Sequence, residues 1–90
     1  MMSTYKMPTI REGDTGCAVA MLQGILAWRD GDGNGNPFYT GEVDGDYGPK
    51  TAAAVEKYQF LMHELGADFD VDGICGNQTW DSLLAMLPKA

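Results

Sequence analysis

Three stretches of the chain carry apolar residues at the three- and four-residue intervals of a helix with one buried face. The first runs from Cys17 to Arg29, with Ala18, Val19, Leu22, Ile25, Leu26 and Trp28 mostly on that spacing. The second and longest runs from Pro49 to Leu65, with Val55, Tyr58, Met62 and Leu65 along one side. Its Ala52, Ala53 and Ala54 permit close approach by a neighbour, and Gly66 follows as a C-terminal stop. The third starts at Gly76 or Asn77, turns Trp80, Leu83, Leu84 and Leu87 inward, and is closed by Pro88. Before the first helix, Arg11 to Gly16 (REGDTG) reads as a turn whose Asp14 or Thr15 can act as a cap. Between the first two helices, Asp30 to Gly41 (DGDGNGNPFYTG) is turn-rich and too polar for core. Val43 and Val71 are placed to form minimal extended pieces. The pattern predicts an all-α fold, a compact three-helix bundle over residues 10–88. Residues 1–9 form a flexible lead-in where Pro8 discourages helix.

Superimposed on this pattern is a phrase written twice. Val43 to Thr51 reads VDGDYGPKT and Val71 to Thr79 reads VDGICGNQT, both fitting V-D-G-x-x-G-x-x-T with a 28-residue offset. The glycines suit a positive φ, which a residue with a Cβ resists. The aspartates, Asp44 and Asp72, can accept hydrogen bonds from nearby amides and fix a tight turn. The second glycine of each copy, Gly48 or Gly76, stands just before a helix, and Pro49 takes a favoured first helical position. Two equal turn-into-helix devices imply a duplicated structural unit.

Ninety residues make one domain. A chain of this size buries somewhat over ~60% of its unfolded surface, leaving little room for a deep enclosed site. Six basic against 13 acidic residues give a net charge of −7, which repels phosphate backbones and anionic lipid, so no nucleic-acid partner is expected. No apolar run approaches the ~20 residues of a membrane span. The opening MMSTYKMPTI lacks the apolar core of a signal peptide. Cys17 and Cys75 are far apart and form no C-x-x-C pair. Their spacing cannot decide whether they join, and two small buried thiols are the expected state.

Taken together, Gly13 to Gln23 (GDTGCAVAMLQ), Val43 to Gln59 (VDGDYGPKTAAAVEKYQ) and Val71 to Leu84 (VDGICGNQTWDSLL) resemble the small three-helix peptidoglycan-binding domain. That domain is appended to bacterial and phage cell-wall hydrolases, and a relative forms the propeptide of matrix metalloproteinases. The resemblance covers about Ile10 to Leu87, and three ordered motifs make it specific. It implies a non-catalytic, monomeric module that holds a fused or associated hydrolase, or a particle, against the wall. The glycan or the stem peptide of murein would lie in a shallow groove near the duplicated loops. The implied location is extracellular or in the cell wall. The alternative implied by the metalloproteinase relative is a protein-interaction or inhibitory prodomain, although neither cysteine lies in a segment like that propeptide's metal-blocking switch. The chain departs from the family pattern in its longer, more acidic Asp30–Gly41 loop, its extended Leu65–Asp70 return, and Cys75 in place of a bulky apolar residue.

The candidate ligand contacts are Asp44, Gly45, Tyr47, Gly48, Lys50, Thr51, Gln59, Asp72, Gly73, Gly76, Thr79 and Trp80. For the aspartates and glycines a purely structural turn or capping role is the stronger expectation. Tyr47, if exposed, offers a sugar a flat face and a hydroxyl. Trp80 could do the same, but it opens an apolar stripe and is expected in the core. Gln23 and Gln59 could bind a stem peptide, and holding a loop is the favoured role. Lys50 and Lys57 could meet a stem-peptide carboxylate. Because peptidoglycan is itself anionic, recognition would rest on oriented hydrogen bonds and stacking, reinforced by tethering or multivalency.

No cofactor is expected, with calcium as the one candidate. Asp30, Asp32 and Asn34 imitate the opening of a calcium loop. The twelfth position is Gly41 where a bidentate Glu belongs, and Glu42 comes one place late, so a plain glycine-rich loop is favoured. Catalysis is not expected. His63 is the only histidine, the cysteines have no evident activating base, and paired carboxylates such as Asp44 and Asp46 would need a larger scaffold.

Overall fold

The computed structural model describes residues 7–28, 37–67 and 69–85. It contains α1 (Cys17–Trp28), α2 (Pro49–Glu64) and α3 (Asn77–Ala85), and no strand among the described residues. The chain is thus all-α, as its periodicity predicts, with each helix inside its expected bounds. Residues 29–36 and 86–90 lie outside the described set, as does the side chain of Trp28.

The helix ends follow from local chemistry. At α2, Gly48 is extended (φ −101°, ψ −169°) and Pro49 opens the helix, needing no amide of its own. The other end closes in a Schellman turn: the Ala67 amide donates to Met62 and the Gly66 amide to His63, with Gly66 at φ +99°. That turn swings Leu65 into solvent at 71% exposure, so its place on the predicted buried side is corrected. The stripe passes instead through Val55 and Tyr58, with Met62 partly buried against the core.

The core gathers Val19, Leu22 and Leu26 of α1, Val55 and Tyr58 of α2, and Trp80 and Leu83 of α3. Tyr58 lies at its centre, meeting Phe38 edge to face at 5.3 Å and Phe69 at 6.3 Å between ring centroids. Phe38 and Tyr39 revise the expectation that their whole loop is too polar for core. Both are buried, and they anchor its end.

Residues Ile10 to Gly16 form a strap rather than an isolated turn. Ile10 exchanges two backbone hydrogen bonds with Cys75 (3.0 and 2.8 Å), while Thr15 forms a bridge with Asp46. The extended contacts expected at Val43 and Val71 are instead made at Asp46 and Cys75, later in each loop, and both valines are exposed. The domain also reaches back beyond Ile10. Met7 packs on the core, and the Pro8 carbonyl accepts the Trp80 indole N–H at 2.8 Å.

The cysteines differ. Cys17 is exposed at the start of α1 and Cys75 is buried, so two buried thiols is corrected to one; both are free. Burial pushes the Cys75 thiol up from its ordinary 9.0 to about 12. Burial first, then neighbouring negative charge, also raises the Tyr47 phenol above 10.0. Each folded-state value lies above the unfolded one, so the native state keeps protons that the unfolded chain gives up. Stability is therefore full below about pH 9 and falls as pH rises toward 12. Urea midpoints are expected to drop between about pH 8 and pH 10.5, and a thiol reagent at about pH 8 should label Cys17 alone until denaturant exposes Cys75. An unchanged midpoint, or labelling of both thiols in the native state, would contradict this.

Candidate functional site

The two loops are each held by one buried glutamine. In the first, Gln23 Oε1 accepts the amides of Asp44 (3.1 Å) and Gly45 (3.0 Å). Its Nε2 faces the Asp46 carbonyl (2.9 Å), Thr51 Oγ1 (3.0 Å), Asp44 Oδ1 (3.2 Å) and the Tyr39 hydroxyl (3.3 Å). Two hydrogens are shared among four acceptors, and the shortest pair is the carbonyl and the threonine. In the second loop, Gln59 Oε1 accepts the amides of Asp72 (3.1 Å) and Gly73 (3.0 Å). Its Nε2 donates to the Ile74 carbonyl (2.9 Å), Asp72 Oδ1 (3.2 Å) and Thr79 Oγ1 (3.2 Å). The core of the clamp is repeated: in each copy the motif aspartate, first glycine and threonine meet their own glutamine. No buried side-chain polar atom among the described residues is left without a partner.

The remaining motif chemistry shapes the turn. Asp44 Oδ1 accepts the Asp46 amide (3.0 Å), and Asp72 Oδ1 accepts that of Ile74 (2.9 Å). The Asp46 amide, then the Gln23 amide, hold the Asp44 carboxyl below its usual 3.8. Gly45 (φ +78°) and Gly73 (φ +74°) take the left-handed conformation. A Cβ at Gly45 would also sit 3.2 Å from the Gly16 carbonyl oxygen.

The loops are tied together rather than set apart. The strap bonds to the first loop through Gly13 to the Tyr47 carbonyl, the Tyr47 amide to Asp14, and Gly16 to the Gly45 carbonyl, each at 2.9 Å. Tyr47 then donates its hydroxyl to the Gly73 carbonyl at 2.5 Å. At 2% exposure it joins the loops from inside, which withdraws the flat face expected for sugar stacking. Its counterpart in the second copy is Cys75, also buried.

The other candidates divide by accessibility. Thr51, Gln59, Thr79 and Trp80 are buried, with their polar atoms engaged in the loops or on Pro8. Gly73 is buried as well, and its backbone is committed to Gln59 and Tyr47. Asp44, Lys50 and Asp72 are exposed, and Gly45, Gly48 and Gly76 are half-buried. The candidate calcium residues Asp30, Asp32 and Asn34 lie outside the described residues. Among those described, no group of three His, Cys, Asp or Glu could hold a metal ion.

Each loop fronts its own hollow. Asp44, Asp46, Gly48, Pro49, Lys50 and Thr51 line the first, of about 690 Å³. The second, about 170 Å³, is lined by Asp72, Ile74, Gly76, Asn77, Gln78 and Thr79, the same motif positions 28 residues on. The first is larger because Tyr39 to Glu42 add a wall to it. Those wall residues were not among the sequence candidates, since only the fold brings that loop's end beside the motif.

Two glutamine-held loops, each beside an open hollow, thus sit on a three-helix scaffold. The chain belongs to the peptidoglycan binding domain family, whose sequence model matches residues 15–83. It is similar to the SleB N-terminal domain, with 33% identity and a TM-score of 0.63 over 87% of this chain and 90% of that one. It is also similar to the Burkholderia AP3 phage endolysin, with 30% identity and a TM-score of 0.66 over 91% of this chain and 27% of that one. A curated relative, an uncharacterized protein in the bpoA1 3' region of Kitasatospora aureofaciens, is 37% identical over 76 residues. That match takes in 84% of this chain, which spans about half (55%) of the relative's length. No helix among the described residues is long and apolar enough to cross a membrane.

Proposed function

We propose that this chain is a non-catalytic wall-binding module that holds an associated cell-wall hydrolase, or a particle, against peptidoglycan outside the cell. The first hollow carries this reading. It is open, and its backbone wall is fixed by Gln23, with an ammonium, carboxylates and a hydroxyl at its edge. Groups locked before the ligand arrives lose little entropy on binding, which is how a shallow site gains usable affinity. The family match and the likeness to a phage endolysin support the choice of murein as the surface. With a net charge of −7 the module gains nothing from bulk attraction to an anionic wall, so tethering to a partner or repeated engagement supplies retention.

The test is co-sedimentation with purified murein sacculi. The protein is expected in the pellet and should be released by an excess of soluble muropeptides. Recovery in the supernatant at every protein concentration would overturn the proposal.

A further inference from the structure

The chain is strongly acidic, yet two of its six basic side chains share one hollow. Lys50 and Lys57 lie on α2 with Ala53 and Ala54 between them, at the 50, 53, 54, 57 spacing of a single helical face. The short alanines leave a saddle between the lysines. Phe38 to Thr40 form the opposite wall, enclosing about 250 Å³ with no carboxylate among the described residues of its lining. Both lysines are exposed, and neither has an ion-pair partner among the described residues.

This saddle runs into the larger hollow, because Tyr39, Thr40 and Lys50 line both. The larger hollow adds three carboxylates. Asp44 is committed to the Asp46 amide and to Gln23, whereas the carboxylates of Glu42 and Asp46 make no hydrogen bond among the described residues. The joined groove is therefore polarised, with two ammonium groups along α2 and two carboxylates on the loop that have no partner among the described residues.

We propose that this groove takes the stem peptide of murein rather than its glycan, with a peptide carboxylate on Lys50 and Lys57 and a peptide ammonium at Glu42 and Asp46. The assignment rests on the wall-binding reading above and names the part of the wall that is read. A chain of N-acetylated sugars carries no ammonium, so it would cover these charges without matching them. A peptide ending in a free carboxylate and containing a diamino residue supplies both signs. Matching opposite charges across a contact sets specificity more than raw affinity. Ammonium-to-carboxylate hydrogen bonds are also among the stronger polar contacts available.

Titration calorimetry at low salt would compare three probes: a free stem tetrapeptide containing a diamino acid, its C-terminal amide, and chitotetraose. The tetrapeptide should bind, its amide should bind at least about tenfold more weakly, and chitotetraose should not compete. The double variant K50Q/K57Q should lose tetrapeptide affinity by a similar factor without a change in melting temperature, since both side chains are exposed and have no partner among the described residues. Equal competition by chitotetraose, or undiminished tetrapeptide binding by K50Q/K57Q, would overturn the assignment. Retention of K50Q/K57Q on sacculi at the native level would defeat the stem-peptide reading and leave wall binding standing. Failure of the native protein to bind sacculi would defeat both.

Discussion

Replacing Gln59 with alanine is expected to lower the melting temperature by roughly 10–25 °C, through a loss of about 3 kcal/mol. Gln59 is 1% exposed and holds the second loop through five hydrogen bonds. Alanine would orphan the buried Gly73 amide, remove the donor that meets the Ile74 carbonyl and Thr79, and leave a cavity. Each buried group left unmade costs about 1–3 kcal/mol, whereas an intact bond contributes only about 1. Glutamate at this position should do no better. It keeps the two acceptor contacts but turns the donor into a carboxylate facing the Asp72 carboxylate and the Ile74 carbonyl. Thermal denaturation followed by circular dichroism checks both variants. A drop of less than about 5 °C for Gln59→Ala would mean that the loop holds its shape without the clamp.

Trp80→Ala should be at least as damaging, costing about 3–5 kcal/mol. The indole is 1% exposed, and its N–H reaches the Pro8 carbonyl at 2.8 Å, fastening the entering chain to α3. A domain of this length has on the order of 5–13 kcal/mol in total. The variant is therefore expected to melt at least about 12 °C below the native protein. Trp80→Phe should recover most of the apolar burial but not the bond to Pro8, and should fall between the two. If Trp80→Phe melts at the native temperature, the indole N–H contributes nothing and the fastening of Pro8 is incidental.

Much of this was legible in the sequence because the fold is written in spacings. The three helices follow from their apolar intervals, and the twin D-G turns follow from glycines that need a positive φ. The glutamine clamps carried a signal as well. Gln23 stands among Val19, Leu22 and Leu26, and Gln59 among Val55, Tyr58 and Met62, each on the buried face of its helix. A polar residue in such a stripe needs buried partners, and the motif amides of the following loop are the unpaired donors nearest in sequence.

What could not be read depends on contacts across the fold. Nothing local says that Tyr47 points inward, since its partner is a backbone carbonyl 26 residues away. Phe38 and Tyr39 sit in a segment dominated by glycine, asparagine and aspartate, and only the packed aromatic cluster shows that they belong to the core. The shallow groove expected near the loops is found as two separate hollows, one beside each loop. The larger hollow is built by a wall that is not part of the repeat.

Amide chemical-shift mapping with soluble muropeptides tests the central claim most directly, that the first loop and its added wall face the polymer. The amides of residues 39–42, 44–48, 50, 51, 53 and 57 should shift in a saturable way, while the Trp80 indole N–H stays fixed. Unmoved amides at saturating ligand, or shifts confined to surfaces away from this groove, would contradict it.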